Sequence, residues 1–95
     1  MTLKWVNTSI DILLSKREAF IKSVILTPSS SSKRGDCTFY DGESTSDPKL
    51  IKILGESGQS TQFNFDPPLK TNRGLYLDVG GDVGEILVQY GWSDI

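Results

Sequence analysis

Thr61-Gln62-Phe63-Asn64-Phe65 sets two phenylalanines on one parity and two amides on the other. An extended chain sends successive side chains to opposite faces, so this stretch reads as a strand with one buried and one wet side. The same alternation recurs downstream. Gly74 to Val79 places Leu75, Leu77 and Val79 inward and Tyr76 and Asp78 outward. Glu85 to Tyr90 places Ile86, Val88 and Tyr90 on one face. Upstream, Asp36 to Tyr40 separates Cys37 and Phe39 from Thr38 and Tyr40, and Lys49 to Leu54 follows Pro48. Ala19 to Thr27 carries Phe20, Val24 and Leu26 on one parity and Ile21 and Ile25 on the other, the mark of a strand covered on both sides.

Between these runs stand turn formers at a spacing of about ten residues. Pro28 removes a ladder donor and closes the Ala19 strand, and Asp41-Gly42 turns the chain. Gly55-Glu56-Ser57-Gly58 turns it again, Asp66-Pro67-Pro68 interrupts the pattern, and Gly80-Gly81-Asp82-Val83-Gly84 reads as a tight hairpin loop. Ser9 to Leu14 is the first clear strand. Helix formers cluster over Ile12 to Phe20, but the β-branched continuation through Ile25 favours strand. Seven core strands, with an eighth short one at Leu3 to Val6, predict an all-β fold. The expected form is a two-sheet antiparallel sandwich of seven to eight short strands, jelly-roll or immunoglobulin-like. Residues 1–8 form an N-terminal arm or short edge strand, and 9–95 a single β-sandwich domain.

Composition narrows the chemistry. Ninety-five residues suit one compact domain with a small core. Ten basic against twelve acidic residues give a formal charge of −2, which argues against an electrostatically driven nucleic-acid binder and offers no polybasic signal for membrane. No histidine is present, which removes His-based triads and His–zinc sites. Cys37 stands alone, so there is no internal disulfide and no cysteine metal cluster. The N-terminus lacks a signal-peptide pattern, no apolar run exceeds three residues, and synthesis in the cytoplasm is expected.

No motif points to catalysis. Asp41 to Asp47 is acidic enough to suggest calcium, but its spacing departs from an EF-hand loop and a polar turn is the better reading. The Gly80 loop precedes a strand where a dinucleotide fingerprint needs a helix. Gly55-Glu56-Ser57-Gly58 lacks a spacer of the nucleophile elbow and has no histidine base. Cys37 shares a strand face with Phe39 and reads as a small core residue. The expectation is a non-enzymatic protein without cofactor or metal.

The two tryptophans are the outliers. Trp5 and Trp92 lie near the two ends, each either plugging the core or anchoring a neighbouring subunit. Tryptophan is enriched at interface centres because it covers a large area with few rotatable bonds. Leu3, Trp5, Val6 and Trp92 are therefore the candidate interface residues, and Leu3-Lys4-Trp5-Val6 is a segment able to add a strand to a neighbour's sheet. Trp92, or Tyr40 with Tyr76, is alternatively a platform for stacking a sugar.

Four stretches together resemble small β-sandwich phage virion proteins of the capsid decoration or cement type. These are Ser23-Val24-Ile25-Leu26-Thr27-Pro28, Phe39-Tyr40-Asp41-Gly42-Glu43-Ser44-Thr45-Ser46, Pro67-Pro68-Leu69 and Gly74-Leu75-Tyr76-Leu77-Asp78-Val79. The resemblance spans Ala19 to Tyr90, and the segment through Lys16 matches less clearly. The resemblance implies a protein on the capsid exterior that binds the major capsid protein and sister copies, with a homotrimer expected as in such decoration proteins; a closed ring of that kind needs a heterologous interface. A tail, fibre or adaptor component and a carbohydrate-binding adhesion module are the alternative expectations.

Overall fold

A computed structural model describes residues 2–92, so the ends of the expected ranges, Met1 and 93–95, lie outside the described residues. Eight strands follow in chain order: β1 Thr2–Thr8, β2 Ile12–Ser15, β3 Phe20–Pro28, β4 Asp36–Tyr40, β5 Lys49–Leu54, β6 Thr61–Lys70, β7 Leu75–Val79 and β8 Val83–Trp92. They form two four-stranded antiparallel sheets, β1-β8-β3-β6 and β2-β7-β4-β5. We call these the first and second sheet. Ile12 to Phe20 contains no helix; β2 and the start of β3 occupy it.

The strand order carries a simple rule. The first strand pairs with the last, the second with the second-to-last, the third with the sixth, and the fourth with the fifth. Successive pairs fall alternately in the two sheets. The chain is thus one long antiparallel ribbon, turned at the β4–β5 hairpin and rolled up, and β3·β8 and β4·β7 pairing closes each sheet. Of the two expected forms this is the jelly roll.

The core is the space between the sheets. Ile21, Val24, Leu26, Ile86 and Val88 enter it from the first sheet, and Phe39, Leu75 and Leu77 from the second, all fully buried. Cys37 lies among them as expected. Its thiol is pushed up to about 12, chiefly by burial and then by the Asp36 and Asp78 carboxylates, so it stays protonated at neutral pH.

Several sequence expectations are corrected. Ile21 does not share a face with Ile25. A register shift between Ile21 and Ser23 flips the alternation, so Ile21 joins Val24 and Leu26 inside. Asp66-Pro67-Pro68 does not end its strand: β6 runs on to Lys70, because an edge strand tolerates missing donors and its register shifts there. Pro28 does close β3 as expected, as its last residue, paired with Val83. Ser9 is not in β2. Thr8 Oγ1 instead donates to the Ile10 carbonyl at 2.9 Å and accepts from the Ile10 N–H at 3.1 Å, turning the chain between sheets. Finally, the Gly80 loop is no hairpin. It crosses from β7 in the second sheet to β8 in the first, with Asp82 at a φ of 62° and its carbonyl accepting from Ser29 N–H at 2.8 Å.

Buried polar groups are matched. Thr71, fully buried between β6 and β7, exchanges hydrogen bonds with the Ala19 backbone through both its hydroxyl and its N–H. No buried side-chain polar atom lacks a partner among the described residues.

Candidate interaction surface

No pocket opens into the sandwich among the described residues. The acidic loop is tied down by its own hydrogen bonds. Asp41 Oδ1 accepts from the Asn72 and Arg73 N–H groups at 3.0 and 2.9 Å, tying the β4–β5 loop to the β6–β7 loop. Asp47 Oδ2 accepts from Glu43 and Ser44 N–H groups at 2.8 and 3.2 Å, and Arg73 approaches its other oxygen at 3.7 Å. Those backbone donors, with Arg73 helping, hold the Asp47 carboxyl below the usual carboxylate range. These carboxylates serve as loop caps, and no cluster with a metal-binding arrangement occurs among the described residues.

The two sheets present unlike outer faces. On the first, register and alternation build three rows. Asn7, Leu87, Ile25 and Gln62 lie across one, and Trp5, Gln89, Ser23 and Asn64 across the next. Leu3, Gly91, Phe20 and Lys70 form the third. Ser23 Oγ donates to Asn64 Oδ1 at 2.9 Å and Gln62 Nε2 to the same oxygen at 3.0 Å, linking the three polar side chains across β3 and β6. Charged residues stand at the β3–β6 irregularity, Lys22 and Asp66, and at two corners, Glu85 and Lys70. The face is apolar along β1, and its first two rows carry no charged residue.

The second sheet differs. Leu13, Tyr76, Tyr40 and Lys49 cross it in one row, and Asp78, Thr38 and Lys52 in another, with Asp36 opposite Leu54. Asp11, in the β1–β2 link, accepts from Val79 N–H at 2.7 Å, and Asp36 from Gly81 N–H at 3.1 Å. Desolvation, then Asp11 and Asp36, hold the Asp78 carboxyl above its ordinary range. This face carries charge of both signs, Lys49 and Lys52 along β5 and Asp11, Asp36 and Asp78 gathered at the other side.

The candidate interface residues separate. Leu3 and Trp5 project together from the outer face of the first sheet, 42% and 51% exposed. Val6, of opposite parity, packs half-buried against the core. Trp92 also points inward. It is half-buried against the core, and its Nε1–H donates to Ser15 Oγ at 2.7 Å, bridging the two sheets. Tyr90 meets it edge-on at 5.5 Å, and the Lys4 ammonium and Arg17 guanidinium lie 5.4 and 5.3 Å from its ring centroid. Trp92 plugs the core; Trp5 does not. Ile25 and Leu87, half-buried on the outer face, escape sequence reasoning because either parity of their strands carries apolar groups.

Together these features define an all-β sandwich of two four-stranded sheets in jelly-roll strand order. No protein-family model, curated protein or solved structure matches the chain.

Proposed function

We propose that this chain is a non-enzymatic structural protein of a phage virion, of the capsid decoration or cement type, acting on the exterior of the assembled head. The contrast between its two outer faces carries the reading. A decoration protein meets two unlike surfaces, the shell and its sister copies, and a rigid sandwich with one face apolar along β1 and one face carrying charge of both signs suits that task. Its action is thermodynamic: binding the assembled shell and not its free subunits stabilises the shell by mass action. Mass spectrometry of particles from the genome that encodes the chain tests this. Hundreds of copies per particle are expected. A few tens or fewer would move the protein to the tail, fibre or adaptor class, and absence from particles overturns the virion reading.

One observation favours a second reading. Tyr40 and Tyr76 stand directly opposite each other on β4 and β7, on the outer face of the second sheet. Two tyrosines paired in register on an outer face offer a site at which a sugar could stack, which supports a carbohydrate-binding adhesion module. Titration with host-surface glycans, read by intrinsic fluorescence, tests it, and a response lost in Tyr76→Ala is the result expected.

A further inference from the structure

Every open sheet carries two edges, and an edge with free N–H and C=O groups invites another strand unless something blunts it. Three of the four edges here are blunted. β6 carries Pro67 and Pro68 within a large register shift. β2 is four residues long and irregular between Leu13 and Ser15. β5 follows Pro48, carries Lys49 and Lys52, and borders the irregularity at Phe39 and Tyr40. The fourth edge is different. β1 pairs with β8 over seven residues without a shift and contains no proline. Its one charged side chain, Lys4, is turned to the Trp92 ring. Leu3 and Trp5 and, in the link that follows, Ile10 are three of the four exposed large hydrophobics among the described residues.

We infer that β1 pairs antiparallel with β1 of a second copy of this chain, with the twofold axis at Trp5. Self-pairing follows from the census of edges. Strand addition in a ring of three needs two different open edges on each copy, and the described residues supply one. Only an isologous contact uses the same edge twice, and it closes at two. The position of the axis follows from β1 itself. Trp5 is the middle residue of Thr2–Thr8, so a dyad there lets all seven residues pair. It sets Trp5 against its own copy, an aromatic cross-strand pair, and places Lys4 opposite Val6. A dyad at Lys4 would oppose two ammonium groups and shorten the overlap. The product is a continuous eight-stranded sheet with Leu3 and Trp5 of both copies at the centre of its outer face.

The contact is small. A standard interface takes about 800 Å² from each partner, whereas β1 offers one strand edge and two large side chains from a chain exposing 5265 Å² in all. A contact this small implies a weak association that dissociates on dilution. The inference does not depend on the virion reading.

Sedimentation equilibrium over a concentration series tests it. A species of about twice the 10.5 kDa chain is expected, dissociating on dilution. Trp5→Glu and Trp5→Lys, each placing like charges across the dyad, are expected to be monomers separately and to restore the dimer when mixed. Both substitutions sit at an exposed position, and a retained cooperative melt confirms their fold. If either melts non-cooperatively, the mass of the unsubstituted chain decides alone. A monomer at all concentrations, a trimer, or a dimer that persists in the separate variants overturns the inference.

Discussion

Trp5 and Trp92 occupy adjacent, paired strands of one sheet, yet one is part of the fold and the other is spare. Trp92 shares its parity with Ile86, Val88 and Tyr90, so it faces the core, reaches across to Ser15 on the second sheet and is flanked by two cations. Trp5 has the parity of Leu3 and Asn7 and faces away. A tryptophan's identity therefore says little about its role. The side of the sheet it occupies decides whether its area is used in folding or left for a partner.

The sharpest way to break this comparison is truncation of each ring. Trp92→Ala is expected to cost about 3 kcal/mol of stability, the low end for losing a large aromatic because the ring is only half-buried. Denaturant unfolding measures it, and a loss under about 1 kcal/mol would remove Trp92 from the core. Ser15→Ala takes away the acceptor of the indole N–H and is expected to cost about 1 kcal/mol by the same assay.

A smaller effect separates the two outer faces. The raised Asp78 carboxyl means that its ionised form opposes folding. Below the ordinary aspartate range the group is protonated in both folded and unfolded chains and the opposition vanishes. It grows as pH rises through that range and is complete above the folded pKa. Asp78→Asn is thus expected to raise the melting temperature at pH 7 and to have an effect that falls away toward about pH 2, well under the model-peptide value. A fall at pH 7 would mean that the Asp78 charge is stabilising. The smallest effect belongs to Trp5→Ala, expected to change monomer stability by no more than about 0.5 kcal/mol, as for surface positions generally. A larger loss in dilute, monomeric protein would place Trp5 within the fold and erase the contrast.

Where one face of a strand is apolar and the other polar, the alternation alone was readable. Phe39 and Cys37 in β4, Leu75 and Leu77 in β7, and Ile86, Val88 and Tyr90 in β8 all point as their spacing implies. Reading failed where a long-range partner alters the local rule. The β3 bulge moved Ile21 inward, and the edge position of β6 let it continue through two prolines. Thr71 carried no signal, because its value lies in the Ala19 backbone groups 52 positions away. The candidate interaction surface was half legible. Leu3 and Trp5 stood out by type, but Ile25 and Leu87 become surface residues only once a face is assigned, and the open edge of β1 exists only by comparison with three blunted ones.

Local sequence was enough for the strand class, the approximate strand positions and which parity of the clearest strands is buried, because side-chain alternation is a property of a few consecutive residues. The tertiary structure alone decided the rolled-up pairing of first strand with last, the crossing of the Gly80 loop between sheets, and the opposite roles of Trp5 and Trp92. Those depend on which strands meet across the chain and on which side of a sheet the second sheet packs, and no local pattern encodes either.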